Sequence, residues 1–210
     1  MTAKKSFIFD VDGTLTDTEK TTISALKKTM KDLFDKEYAY DQLKFAFMHT
    51  GKGALRELGV EDVDSTFEVW SKNIVDMYGD VTVYPGIDEM LKTLKQDGKK
   101  LGIVTSRYQF EVEIDLVLKT ILHYFDAVVP HNDDLRPKPY PDQLIEAMDF
   151  LGIVPEEAYY VGDSKFDYQC AKSCGTDFIL ANWGQIDRRD DIPADDYIAC
   201  ASPAELYSYL

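Results

Sequence analysis

Residues 6 to 16 read SFIFDVDGTLT: a short apolar run goes straight into two aspartates one residue apart, followed at once by glycine and threonine. The run reads as a buried strand, and carboxylates at the end of such a strand are costly to keep ionised unless something compensates them. The nature of the compensating group, and what kind of core this strand begins, are the two questions the rest of the chain answers.

Downstream the pattern turns helical for roughly seventy residues. From Asp17 or Thr18 as N-cap, residues Ile23, Leu26, Met30, Leu33 and Phe34 recur at helical spacing and define one apolar face. Leu43, Phe45, Phe47 and Met48 suggest a second helix. Gly51 and Gly53 break the chain, Leu55 and Leu58 continue it, and Phe67, Trp70, Ile74 and Met77 mark another helix. Val83-Tyr84-Pro85-Gly86 then punctuates the chain as a loop or hinge. Beyond it strands and helices alternate. A helix through Ile87, Met90, Leu91 and Leu94 ends at Asp97-Gly98, and the strand KLGIV follows. Next come a helix through Val112, Leu116 and Leu118, the strand DAVV, a helix through Leu144, Ala147 and Leu151, the strand AYYV, a short helix and the strand DFILA. This alternation predicts an α/β core with a parallel, Rossmann-like sheet covered by helices on both faces. The expected division is a core of residues 1–15 and 84–210 and an inserted helical cap of residues 16–83.

Composition narrows the function classes. The chain has 210 residues, 45% of them hydrophobic, enough for one substantial core with an appended unit. Its 38 acidic against 23 basic residues give a net charge of -15, which repels nucleic-acid backbones and anionic lipid, so neither is an expected partner. Cys170, Cys174 and Cys200 form no Cys-x-x-Cys pair and fit reduced thiols better than a disulfide framework. With no signal-peptide core and no membrane-length apolar stretch, the expectation is a cytoplasmic protein, monomer or homodimer.

In an open α/β sheet ligands gather at the carboxyl ends of the strands. Four polar clusters follow apolar runs: Asp10 and Asp12; Thr105, Ser106 and Arg107; Arg136-Pro137-Lys138-Pro139; and Gly162-Asp163-Ser164-Lys165-Phe166-Asp167. Carboxylates meeting at one edge repel one another unless a cation sits among them, and an all-oxygen site suits Mg²⁺. Mg²⁺ together with Lys138 calls for an anion, and a phosphoryl group is the obvious one. A carboxylate facing phosphorus can act as nucleophile, and a second carboxylate can shuttle a proton. An EF-hand reading of the same stretch fails because its first ligand position falls on Ile8.

These motifs resemble, in order, the four motifs of the haloacid dehalogenase superfamily: DVDGT at 10–14, VTS at 104–106, RPKP at 136–139 and GDSKFD at 162–167. The resemblance covers nearly the whole chain, and its insertion is similar to the cap of the phosphoglycolate phosphatase and β-phosphoglucomutase branch. It implies that Asp10 is the nucleophile and that Asp12 protonates the leaving oxygen, later activates water, and lends its backbone carbonyl to Mg²⁺. Thr105 and Lys138 would hold phosphoryl oxygens with Ser106 beside them; Asp163 would ligate the metal, and Asp167 would support it directly or through water. The second aspartate excludes the metal-free dehalogenases.

The expected function is a Mg²⁺-dependent phosphatase acting on a small phosphorylated metabolite. The alternatives are a sugar-phosphate mutase and a non-catalytic phosphate-binding regulator. In β-phosphoglucomutases a histidine stands ten residues past the second aspartate; here that residue is Thr22. His49, Thr50 and Lys52 lie in a glycine-marked bend of the cap, where His49 and Lys52 are candidate substrate contacts. Arg107 reads best as an ion-pair partner of a nearby acid, and Tyr159 and Tyr160 as strand residues.

Overall fold

The computed structural model describes residues 4–184, 192–193 and 196–210. Of the acidic stretch from Asp187 to Asp196, read above as a solvated loop, only residues 192, 193 and 196 are among them. The chain divides into two compact units, Met1–Asp17 with Val83–Leu210, and Thr18–Thr82.

The first strand, β1 (Ser6–Phe9), is buried along its whole length. After it the chain passes through β2 (Thr16–Asp17) into the helical unit. There α1 (Glu19–Phe34) packs against α4 (Val63–Asp76), with the short α2 (Tyr40–Leu43) and α3 (Gly51–Glu57) between them in sequence. The apolar face of α1 is Ile23, Leu26 and Met30, all fully buried. Leu33 and Phe34, expected on that face, are instead exposed in the last turn, which ends at a left-handed Asp35 (φ 52°). Two polar ties cross the unit: the Trp70 indole N–H donates to the Thr22 carbonyl (3.1 Å), and the Asn73 amide to Thr29 Oγ1 (2.9 Å). The helix expected over Leu43–Met48 is a single 3₁₀ turn, Lys44–Met48, following α2.

The chain returns through β3 (Thr82–Val83), which pairs with β2, and the Tyr84 N–H donates to the Leu15 carbonyl (3.0 Å). Among the described residues the α-helices and strands that follow are α5 (Ile87–Gln96), β4 (Lys100–Tyr108), α6 (Gln109–Ile114), α7 (Leu116–Lys119), β5 (Ala127–His131), α8 (Asp142–Leu151), β6 (Ala158–Gly162), α9 (Lys165–Cys174), β7 (Asp177–Ala181) and β8 (Ile198–Cys200). Six of the strands form one parallel sheet in the order β5-β4-β1-β6-β7-β8. Strand alternation sorts its side chains into two cores. On one face Phe7, Phe9, Leu101, Ile103, Val161 and Ile179 pack with Met90, Leu91 and Leu94 of α5. On the other face Ile8, Val104, Tyr160 and Leu180 pack with α8 and α9 through Leu144, Met148, Cys170 and Ala171. Burying each large apolar side chain contributes roughly 1.5–3 kcal/mol, which is why runs apolar on both faces commit to the sheet centre.

Two further expectations need correction. The helix through Val112 and Leu118 is two, α6 and α7, because Asp115 is extended (φ -71°, ψ 102°) and its carboxylate caps the second by accepting the Leu118 N–H at 2.7 Å. Leu116 is accordingly 72% exposed. Strand β4 continues past Val104 to Tyr108, with an irregularity in its pairing to β5 between those residues. Among the described residues no helix is long and apolar enough to cross a membrane, and the three cysteines are free.

Candidate active site

Strand order places the topological switch point beside β1: connections run outward to β4 and β5 on one side and to β6, β7 and β8 on the other, so the order reverses at β1 and β6, the position where open α/β sheets bind ligands. Asp10 is the first residue past β1, and its N–H continues the ladder by donating to the Val161 carbonyl (2.9 Å). The chain then coils tightly, with the N–H groups of Thr14, Leu15 and Thr16 all converging on the Val11 carbonyl (3.2, 2.8 and 3.0 Å). Gly13 has φ +81°, and a Cβ there would sit 2.4 Å from Asp163 Oδ2. Only glycine allows both the turn and the approach of that carboxylate. The Trp183 indole N–H donates to the Thr14 carbonyl (2.9 Å) and ties the loop from the far side.

Lys138, on the loop between β5 and α8, carries its buried ammonium to Asp10 Oδ1 (2.6 Å) and Asp167 Oδ1 (2.7 Å). Asp167 lies in the first turn of α9. Its Oδ1 also accepts the Tyr160 hydroxyl (2.9 Å), and its Oδ2 accepts the N–H (3.1 Å) and hydroxyl of Ser164, the N-cap of that helix. The capping geometry holds Asp167 in place, and four donors fill its acceptor sites. Carboxylate oxygens of Asp10, Asp163 and Asp167 all lie within 4.8 Å of one another, and all three residues are buried.

The charges are strongly perturbed. Burial pushes the Asp10 carboxyl up to about 7, with Asp167 and Asp12 adding to the effect and Lys138 opposing it. For Lys138, burial disfavours the charge, but the flanking carboxylates of Asp10 and Asp167 outweigh it and hold the ammonium well above its ordinary range. Three buried carboxylates against one ammonium leave an excess of negative charge, and with the oxygens of Asp167 already taken, those of Asp10 and Asp163 are the donors that fit a hard divalent cation such as Mg²⁺.

Asp12 faces a different partner. The Arg107 guanidinium grips both of its oxygens, Nε to Oδ2 at 2.8 Å and Nη2 to Oδ1 at 2.6 Å, and donates from Nη1 to Asp115. Thr105, fully buried at the same edge of β4, accepts the Arg107 N–H on Oγ1 (3.2 Å), while its carbonyl takes the Gln143 amide (2.9 Å). Ser106 is half-buried beside it. Glu111 accepts the Tyr108 N–H (2.9 Å), and burial pushes its carboxyl up to about 7.

The fold therefore brings Asp10, Asp163, Asp167 and Lys138 into one cluster and sets Asp12 against Arg107. His49 and Lys52 belong to the helical unit, where His49 Nε2 lies 3.5 Å from Glu57 and Lys52 Nζ lies 2.8 Å from Asp64. The reading of Tyr160 as a strand residue missed its hydroxyl contact with Asp167. A tyrosine in a buried strand needs a partner for its O–H, and that was the available signal. Gln143 and Asp115 carried no such mark.

A model of the family described as haloacid dehalogenase-like hydrolase matches residues 7–181. A protein named phosphoglycolate phosphatase from Aquifex aeolicus (strain VF5) is 33% identical over 189 residues, covering 89% of this chain and 88% of its own. One named pyrophosphatase PpaX from Bacillus cereus (strain AH820) is 32% identical over 179 residues, covering 84% and 82%. Among solved structures, a Lactobacillus plantarum protein assigned as a phosphoglycolate phosphatase superposes with a TM-score of 0.86 at 25% identity, covering 99% of this chain and 100% of that one. With the family model spanning strands β1 to β7, and with relatives aligned over most of both chains, the protein belongs to the haloacid dehalogenase-like hydrolases.

Proposed function

We propose that this chain is a Mg²⁺-dependent phosphatase that hydrolyses a small phosphorylated metabolite through an aspartyl-phosphate on Asp10. The observation that carries this reading is the buried Lys138 ammonium held between Asp10 and Asp167, which keeps a fixed cation beside a carboxylate able to attack phosphorus. The names of the relatives, phosphoglycolate phosphatase and pyrophosphatase, support the same class.

In the proposed sequence an Asp10 oxygen attacks phosphorus, the ester P–O bond breaks, and the departing oxygen takes a proton from Asp12. Water then attacks the aspartyl-phosphate and gives its proton to Asp12, which releases inorganic phosphate and restores Asp10. Lys138 and Thr105 absorb charge on the phosphoryl oxygens. Asp10, the Asp12 carbonyl and Asp163 would hold Mg²⁺, with Asp167 behind them anchoring Lys138. The ion would supply Lewis-acid stabilisation of the phosphoryl charge. Selection among esters is assigned to the helical unit, with His49 and Lys52 as candidate contacts.

The test is release of inorganic phosphate by the purified chain with Mg²⁺ from 2-phosphoglycolate, pyrophosphate, sugar phosphates and nucleoside monophosphates, alongside Asp10→Asn. Turnover of at least one ester, lost by several orders of magnitude in Asp10→Asn, is the expected result. Isomerised sugar phosphate in place of free phosphate would instead indicate the mutase, and no turnover with retained phosphate binding would indicate the regulator.

A further inference from the structure

We propose that Arg107 is a positioning residue that aims the Asp12 carboxylate for proton transfer; the inference rests on the phosphatase reading above. A single residue makes the connection in three directions, two through its side chain and one through its backbone. Its Nε and Nη2 take the two oxygens of Asp12 as a planar fork, at 2.8 and 2.6 Å. Its remaining terminal nitrogen, Nη1, is held by Asp115, whose other oxygen accepts the Leu118 N–H (2.7 Å) and so fixes the start of α7. Its own backbone N–H donates to Thr105 Oγ1 (3.2 Å). The pair is largely buried, with side-chain exposures of 14% for Arg107 and 22% for Asp12.

The geometry is more specific than charge balance requires. A carboxylate at the end of a short side chain rotates about its last bond, and a point charge would leave that rotation open. A guanidinium fork fixes the carboxylate plane as well as its position, which an ammonium cannot do. Because Arg107 is itself tethered to Asp115, the plane is referred to a helix start and not to solvent. The orienting chain therefore runs from α7 through Asp115 and Arg107 to Asp12, the residue assigned to donate a proton to the leaving oxygen and later to take one from water. Loss of the fork is then a loss of aim, felt most where the leaving group depends on that proton.

A series of substituted phenyl phosphates, from p-nitrophenyl to unsubstituted phenyl, tests this with Mg²⁺ present. For each, kcat/KM reports steps up to the first P–O cleavage. A p-nitrophenolate leaves without assistance, whereas phenolate benefits from protonation. Arg107→Lys keeps a cation for Asp115 and is expected to melt within ~3 °C of the unsubstituted protein. Its kcat/KM should fall roughly 10- to 100-fold more for phenyl phosphate than for p-nitrophenyl phosphate, giving a steeper dependence on leaving-group acidity. Arg107→Ala should show the same steepening, and added guanidinium ion should partly reverse it. Should the lysine variant fail to fold, the alanine variant with guanidinium rescue carries the test alone. Equal losses across the series, or no loss, would reduce Arg107 to a structural ion pair and overturn the proposal. Failure of the phosphatase reading looks different, since the unsubstituted protein would then release no phosphate from any member of the series.

Discussion

The Lys138 ammonium lies 2.6 Å from Asp10 Oδ1 and 2.7 Å from Asp167 Oδ1, so one buried cation joins residues from three separate stretches of the chain. Removing one member of such a group leaves the others uncompensated in a low-dielectric setting. Lys138→Met should lower unfolding free energy by roughly 3–5 kcal/mol in urea titrations and abolish phosphate release. The double variant Lys138→Met with Asp10→Asn should regain part of the stability and none of the activity. Additive losses in that cycle would show that the two residues do not communicate.

Gly13 is a second point where conformation and charge meet. Alanine there must adopt φ +81°, at a cost of roughly 1–2 kcal/mol, and its Cβ would fall 2.4 Å from Asp163 Oδ2. Asp163 must move. Gly13→Ala should therefore weaken Mg²⁺ activation by roughly 10- to 100-fold, measured as the concentration giving half-maximal phosphate release. An unchanged Mg²⁺ requirement would separate Asp163 from the metal.

Glu111 predicts a pH dependence of stability. Burial raises its carboxyl from an ordinary 4.5 to about 7 in the folded protein. Between those values the folded state keeps a proton that the unfolded state has released, so stability is lost as pH rises through that window and then levels off. Glu111→Gln keeps an acceptor for the Tyr108 N–H and does not titrate. Its melting temperature should match that of the unsubstituted protein near pH 4.5 and exceed it above pH 7, by roughly 1–3 kcal/mol of stability. Parallel curves for the two proteins would locate the proton elsewhere.

The donor set around Asp10 and Asp163 predicts cation selectivity. EDTA should abolish turnover and Mg²⁺ restore it, while Ca²⁺ should restore little, because its longer bonds and higher coordination number would displace Asp10 from phosphorus. Full activity after exhaustive chelation would remove the metal from the mechanism.

What could be read in the sequence was whatever depends on neighbours along the chain. Asp10, Asp12, Thr105 and Asp163 each follow an apolar run that has little choice but to be a strand, so their place at the carboxyl edge of a parallel sheet followed from pattern alone. Helix breaks were less legible. Asp115 ends one helix and caps the next, yet it sits within a stretch whose apolar spacing reads as continuous.

Tertiary structure decided the partners. Arg107 stands near Glu111 and Asp115 in sequence, but its forked partner is Asp12, 95 residues away, because β1 pairs with β4 and brings their ends together. Tyr159 and Tyr160 are equivalent by composition. Strand alternation sends them to opposite faces, so that Tyr159 packs on Phe7 and Tyr209 while the Tyr160 hydroxyl reaches Asp167. Which face receives α9, and with it Asp167, follows from how the whole sheet is covered. A hydrogen bond of under 3 Å depends on that global arrangement, whereas a strand followed by an aspartate depends only on its neighbours.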